Sequence, residues 1–188
     1  MIFDADLVRN GVKLILDGMG LDWEHDPNFK ETPRRVTAAF SELTAGLYDD
    51  TNHTVQFPSK YDGIINFKAV SAIGLCPHHL LPIEYTIWFA YIPIGTVLGL
   101  SKVPRILKRL CARPVLQEDL TLDIQNYFVN ELHPLGVAVV IAGIHGCMKY
   151  RGLKEVNTIY TSSLYGAFFD KPQAREEFFL LNDLKGVV

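Results

Sequence analysis

Cysteine is scarce in this sequence. The 188 residues include only three, Cys76, Cys111 and Cys147. Three thiols cannot all pair with one another, so the chain does not have the framework of a small disulfide-rich secreted protein. In a reducing compartment, a cysteine that lies close to histidines is typical of a metal ligand or a nucleophile. The residues beside each cysteine therefore indicate whether it is a candidate metal ligand or nucleophile.

Long hydrophobic runs and an excess of positive charge are also missing. Apolar stretches such as Val137–Ile144 are far shorter than the roughly 20 residues that span a bilayer. The N-terminus carries Asp4 and Asp6 where a secretory signal has a basic head and an apolar stretch. We therefore expect a cytoplasmic protein with no membrane partner. The formal net charge of -3 argues against a nucleic-acid partner, but a local cluster of Arg and Lys can still bind an anionic small molecule.

What the sequence does contain is enough apolar material for one core. Hydrophobic residues make up 48% of the chain and aromatic residues 11%, which suffices to bury a core at this length. No internal repeat, low-complexity tract or linker is visible. We predict a single domain over residues 1–188, with a helical part over about 1–50 and a core over about 60–182.

The hydrophobic pattern predicts helices first, then strands, then two helices and further strands. That order favours an α+β protein with an antiparallel sheet. Thr32 is predicted to cap the second helix and Pro33 to occupy its first position, and residues 51–60 are predicted to be a polar connection. The predicted helices span about 5–19, 33–47, 103–111, 117–132 and 175–181, and the predicted strands 64–73, 81–92, 136–144 and, more weakly, 149–163.

The strongest chemical pattern combines the segments Cys76–His79 and His145–Cys147. Cys76, His79 and Cys147 together offer the soft and borderline ligands that zinc prefers. Three protein ligands leave a fourth position for a water molecule, whose pKa zinc lowers to about 7. Two histidines, His78 and His145, then remain beside the ligands and could move protons. The pattern therefore predicts a catalytic zinc site.

Plainer interpretations compete with this one. A structural zinc site is an alternative, although such sites normally use four protein ligands, and coincidental spacing is another. Cys111 is predicted to be a small apolar core residue. We expect His25, His53 and His133 to be structural or solvated.

Further blocks of sequence follow in a fixed order on both sides of the metal pattern. They are Cys76–Pro82, Ala90–Pro93, Gly99–Lys102, Gln117–Thr121, His145–Met148 with Arg151-Gly152, Thr161-Ser162 and Arg175–Phe178. In this order and spacing the chain resembles the GTP cyclohydrolase I family over roughly residues 30–180.

The resemblance implies a role for each matched position. It implies that Cys76, His79 and Cys147 bind Zn²⁺ and that His78 and His145 are the acid–base histidines. It also implies that Glu118, with Gln117 beside it, reads the donor edge of guanine, since a carboxylate accepts two parallel hydrogen bonds. The positions that would hold ribose and triphosphate are Ser101, Lys102, Arg105, Arg151 and Arg35.

The same resemblance implies the fold, assembly and reaction. The expected fold is a T-fold, in which a four-stranded antiparallel sheet carries a helix pair on one side and follows N-terminal helices. Subunits of that family join their sheets into a barrel and form a homodecamer with sites at subunit interfaces. The expected reaction is hydrolysis of GTP to 7,8-dihydroneopterin triphosphate and formate, the first step of pterin, folate or deazaguanine biosynthesis, with no redox cofactor.

Three positions depart from the family pattern. Pro77 replaces a usual Glu, Gly74 a usual Ser, and Ala38 a position that is often basic. Pro77 and Gly74 leave one alternative open, the same chemistry on another purine nucleotide such as dGTP. A second alternative is a non-catalytic purine-binding T-fold protein. A zinc deaminase does not fit, because its His-x-Glu and Pro-Cys-x-x-Cys elements do not occur in the sequence.

Overall fold

The structure is a computed structural model that describes residues 2–49 and 54–184. Within these ranges the helices are α1 (Ala5–Gly18), α2 (Thr32–Leu43), α3 (Lys102–Cys111), α4 (Gln117–Leu132), α5 (Gly146–Lys149), α6 (Ala167–Asp170) and α7 (Pro172–Leu181). The strands are β1 (Gln56–Pro58), β2 (Ile65–Leu75), β3 (Pro82–Ile92), β4 (Thr96–Leu98), β5 (Gly136–His145) and β6 (Thr158–Gly166).

Four of the strands form the main sheet, in the order β2-β3-β5-β6 with every neighbouring pair antiparallel. Helices α3 and α4 follow β4 in the chain and pack on one face of this sheet. Side chains of β3 alternate, so that Ile87, Phe89 and Tyr91 lie on the face that packs against the helices. The predicted α+β architecture, a four-stranded antiparallel sheet with a helix pair on one side, is confirmed.

The N-terminal helices precede the sheet as predicted, but the start of α2 was predicted wrongly. Thr32 is the first helical residue, and Glu31 precedes it without a capping side-chain hydrogen bond. The reason lies in the preceding turn, where the amide of Thr32 donates to the carbonyl of Phe29 at 2.8 Å. The helix also ends earlier than expected, at Leu43, and a short 3₁₀ turn replaces its last residues.

Two predictions for the strands also need correction. The predicted polar connection over residues 51–60 contains β1, which pairs with β4 in a separate two-stranded sheet, while residues 51–53 lie outside the described ranges. The strand predicted from 149 begins only at Thr158. Strands of three residues are too short to show a period of two, which explains why β1 and β4 were missed. None of the described helices is both long and apolar enough to cross a membrane.

One end of the sheet brings the chemically important segments together. Strand β2 ends at Leu75, and the chain turns through Cys76 to Leu80 before β3 begins. The amide of Cys76 donates to the carbonyl of Leu81 at 2.9 Å and thereby closes this turn. On the neighbouring strand, His145 pairs with Ile83, and α5 begins at the next residue. Because antiparallel neighbours alternate in direction, the end of β5 lies beside the start of β3.

Candidate metal centre and active site

The predicted ligands converge at this end of the sheet. One ligand atom from each of Cys76, His79 and Cys147 lies within 4.8 Å of the other two. The Cys76 sulfur is 3.7 Å from Nδ1 of His79. Cys76 is buried, Cys147 is half-buried and His79 is exposed, so the group has a protein side and an open side. All three cysteines of the chain are free thiols.

These distances fit zinc. With zinc–sulfur and zinc–nitrogen bonds of about 2.3 and 2.05 Å, tetrahedral geometry places the two atoms about 3.6 Å apart, close to the distance observed between Cys76 and His79. Burial, reinforced by the neighbouring Cys76, raises the pKa of the Cys147 thiol. A bound cation opposes that effect because it stabilises the thiolate form. The donor set of two sulfurs and one imidazole is therefore suited to zinc.

The two remaining histidines have different surroundings. His78 lies on the exposed side of the turn, with its Nδ1 4.0 Å from the Cys76 sulfur. His145 is half-buried, and its Nε2 is 2.8 Å from Oε1 of Gln117. Burial lowers the pKa of His145, while the charge of Glu118 opposes the shift. The neutral imidazole, which can accept a proton, is therefore favoured at His145.

Three further predicted site residues lie at this end of the sheet. Glu118 occupies the first turn of α4 with an exposed side chain, where the helix dipole favours a carboxylate. Nη1 of Arg151 lies 2.6 Å from Nε2 of His79. Gln117 also faces this end of the sheet through its contact with His145. A direct contact of any of these residues with a nucleotide stays a prediction.

The other predicted site residues are not brought to the metal ligands. Ser101 and Lys102 lie where α3 begins, whereas its last residue, Cys111, packs beside Gly74 near the metal turn. Nine residues of helix separate the two ends of α3 by about 14 Å. Arg105 lies one turn into α3, and Arg35 lies on α2 with an exposed side chain. One chain therefore carries two separate groups of candidate residues.

The structure also gives a reason for Gly74, which the sequence left unexplained. A Cβ at position 74 would lie 2.7 Å from the carbonyl oxygen of Cys111 and 2.7 Å from Cε2 of Tyr85. The Tyr85 ring is 2% exposed and fills the space that a larger residue would need. Burial is the main cause that raises the pKa of Tyr85. No signal in the sequence linked Gly74 to Tyr85, because their contact crosses two strands.

Gly74→Ser is expected to lower the free energy of unfolding by about 1–3 kcal/mol, the usual cost of overpacking a core. The added atoms meet a backbone carbonyl and a buried ring, neither of which can move away freely. Urea unfolding at one fixed protein concentration measures the change. Gly11→Ser is the matched control, since a Cβ there meets nothing within 4 Å. Equal stability of both variants would mean that α3 moves away from the sheet without cost.

Comparisons with known proteins identify a family for this chain. The family model described as GTP cyclohydrolase I matches residues 8–183. A GTP cyclohydrolase 1 from Sulfurihydrogenibium sp. (strain YO3AOP1) is 37% identical over 98% of this chain and 99% of its own length. One from Aquifex aeolicus (strain VF5) is 36% identical over the full length of both chains. Among solved structures, an archaeosine synthase QueF-Like in the apo form matches 55% of this chain with a TM-score of 0.44 and 17% identity, which is too low to support an argument.

The fold and the site define a class: an α+β protein with a four-stranded antiparallel sheet, whose end carries a Cys₂His group suited to zinc. The matched family model covers almost the whole chain, and the relatives share more than a third of its residues. The chain belongs to the GTP cyclohydrolase I family.

Proposed function

We propose that this chain is a zinc-dependent hydrolase that converts GTP and water to 7,8-dihydroneopterin triphosphate and formate in the cytoplasm. The observation that carries the proposal is the Cys₂His group with His78 and His145 beside it, in a chain of the GTP cyclohydrolase I family. A structural zinc site would not need histidines beyond its own ligands. A site for hydrolysis of a purine ring needs both a metal and groups that move protons.

Each group near the metal has a task in this reaction. Cys76, His79 and Cys147 would hold zinc, which when bound supplies Lewis acidity and lowers the pKa of a water molecule. His145 takes up a proton and returns it at N7 of the purine, for which a neutral resting imidazole is suited. His78, on the exposed side of the turn, serves the ribose end and assists opening of the sugar ring.

Recognition of the base is assigned to Glu118. Its carboxylate would accept two parallel hydrogen bonds from N1–H and the 2-amino group of guanine, a pairing that adenine does not offer. The exposed side chain in one subunit leaves the carboxylate open to a ligand.

Ribose and triphosphate are assigned to a second subunit. Ser101 and Lys102 lie at the end of α3 remote from the metal ligands, so they cannot hold the ribose of a nucleotide whose purine ring is at the same chain's metal. Ser101, Lys102 and Arg105 form this second group, and Arg35 adds positive charge for the phosphate oxygens. Arg151 would contribute its charge from the chain that holds the metal, because it lies beside His79. The sheet has free edges at β2 and β6 within the described ranges, where another copy can add its strands. We propose a homodecamer with sites at subunit interfaces.

Mixing two inactive variants tests this shared site. Cys147→Ala disables the metal group and Lys102→Ala the second group, so co-assembly of the two chains recreates some intact sites. If each site draws on two subunits, random 1:1 mixing should restore about a quarter of the activity. Formate release after joint refolding or co-expression measures it.

The matched control mixes Cys147→Ala with His145→Ala. Both changes fall in the same group on one chain, so no mixed assembly contains an intact site and no activity should return. Equal results for the two mixtures, whether activity returns in both or in neither, would contradict a site shared between subunits.

The reaction itself is tested by incubating zinc-loaded protein with GTP and, separately, with dGTP. Formate and the pterin absorbance are followed together. The proposal expects both products from GTP at a higher kcat/KM than from dGTP. A preference for dGTP would support the alternative suggested by Pro77 and Gly74. Binding of GTP without formate release would identify a non-catalytic purine-binding protein.

A further inference from the structure

Gln117 has every polar atom of its side chain engaged by protein groups. It is 2% exposed. The two hydrogens of its Nε2 are shared among three acceptors, the carbonyl oxygen of Ile141 at 3.2 Å, that of Ile159 at 2.9 Å and Oγ1 of Thr161 at 3.1 Å. Its Oε1 faces Nε2 of His145 at 2.8 Å. A side chain held in this way joins α4, β5 and β6, and each of its polar atoms already has a protein partner.

The contacts also distinguish the oxygen of the Gln117 side-chain amide from its nitrogen. Backbone carbonyls only accept hydrogen bonds, so the atom beside Ile141 and Ile159 must be the NH₂ group. The atom that faces His145 is therefore the oxygen, which only accepts. Nε2 of His145 must then carry a proton, and in the neutral ring Nδ1 carries none. In the described ranges Nδ1 of His145 has no hydrogen-bond partner.

Two threonines support the same orientation. Oγ1 of Thr121 is 2.8 Å from the backbone carbonyl oxygen of Gln117, so the hydroxyl of Thr121 donates its proton to that oxygen. Thr161 lies 2.7 Å from Thr121 and must therefore donate to it. This leaves a lone pair of Thr161 to accept from the Gln117 amide, in agreement with the orientation set by the carbonyls. The donor and acceptor roles along these contacts are therefore mutually consistent.

Gly143 leaves room for the contact. A Cβ at this position would lie 2.1 Å from Oε1 of Gln117 and 3.2 Å from Nε2 of His145. The amide cannot move away without losing its hydrogen bonds to Ile141 and Ile159. Any side chain at position 143 would therefore separate Gln117 from His145.

We infer that Gln117 is a positioning residue that holds His145 as the Nε2–H tautomer, so that Nδ1 is the nitrogen that exchanges a proton with the bound purine nucleotide. The inference rests on the proposed function and departs from the role that the family resemblance implied for Gln117, because the Gln117 side chain acts on His145 rather than on the base. A histidine that moves protons needs one defined free nitrogen, and a hydrogen bond to the other nitrogen defines it.

The test compares Gln117→Met with Gln125→Met, both on α4. Methionine has nearly the shape of glutamine but donates and accepts no comparable hydrogen bond. Gln125 accepts from Ser163 on β6, so its replacement removes a contact between the same two elements away from His145. We expect Gln117→Met to lower kcat at least about tenfold, with KM for GTP and zinc content near those of the unmodified chain. Gln125→Met should change kcat little.

A second measurement does not depend on activity. Nitrogen NMR of the assembled, zinc-loaded protein labelled with ¹⁵N-histidine, at a pH where His145 is neutral, distinguishes protonated from unprotonated ring nitrogens. The His145 signals are assigned by their loss in His145→Asn. The unmodified chain and Gln125→Met should show one tautomer, with the proton on Nε2, and Gln117→Met a mixture. Gly143→Ala should also show a mixture of tautomers. It provides the test if Gln117→Met fails to fold.

Two results would overturn the inference. One is a single Nε2–H tautomer in both Gln117→Met and Gly143→Ala, and the other is a raised KM with unchanged kcat, which would make Gln117 a substrate-binding residue. If the unmodified chain released no formate from GTP, the proposed function would fail, while the NMR result would still decide whether Gln117 sets the tautomer.

Discussion

His145→Ala is expected to lower the rate of formate release from GTP by about 100- to 10,000-fold, the usual cost of removing a general acid or base. His145 is not one of the three ligands and lies at the end of β5, hydrogen-bonded to Gln117. Its loss should therefore leave zinc content and the assembled oligomer unchanged. Metal analysis, formate and pterin absorbance, measured on the same sample, check this.

His78→Ala is to be compared with His145→Ala, because the two histidines are assigned to different steps. His78 is also outside the ligand group but lies on the exposed side of the turn, where we assign it to the ribose end. Its loss is expected to block pterin formation by a similar factor, while a ring-opened intermediate can still form and revert. The reaction should thus stop before formate release in His145→Ala and before pterin formation in His78→Ala.

Zinc content separates the possible failures of this assignment. If either histidine variant lost its zinc, that histidine would be a ligand and the roles within Cys76–His79 would change. If both variants kept zinc and formed pterin at the full rate, neither histidine would act as an acid or base.

Cys147→Ala is expected to remove most of the zinc, from about one ion per subunit to nearly none, and activity with it. Cys147 supplies one of only two thiolates in the group. The remaining Cys76 and His79 would leave zinc with two protein ligands, fewer than the three that catalytic zinc sites typically have. Metal analysis after dialysis against a weak chelator measures the loss.

Cys111→Ala is the matched control, because it removes a thiol that lies outside the group. Cys111 is completely buried, and burial raises the pKa of its thiol to about 12. A thiol that stays protonated does not bind zinc, so this variant should keep its metal. Full zinc in Cys147→Ala, or loss of zinc in Cys111→Ala, would contradict the ligand assignment.

The main elements of the fold were predictable because their signals are local. The long apolar stretch at Gly136–His145 and the amphipathic pattern of α3 need no knowledge of distant contacts. Short elements carry no such signal. Strands β1 and β4 exist because they pair with each other, and the beginning of β6 at Thr158 depends on its partner Ile144. Pairing across the chain, rather than local preference, decided these boundaries.

The candidate site divides in a similar way. The ligand types and their spacing in Cys76–His79 and His145–Cys147 predicted a zinc group, because zinc chemistry restricts which residues can take part. The roles of Gly74 and Gln117 were not predictable. Gly74 is explained by the ring of Tyr85, and the amide of Gln117 is occupied by acceptors from β5 and β6.

The sequence by itself determined the family, the α+β order of elements and the chemical identity of the metal group, since these depend on residue types and on local patterns. The tertiary structure alone decided which atoms meet. It placed Ser101 and Lys102 at the far end of α3 from Cys76, and it directed Gln117 towards His145. The physical reason is that distances and hydrogen-bond directions between side chains depend on how strands and helices pack, and packing joins residues that are far apart in the chain.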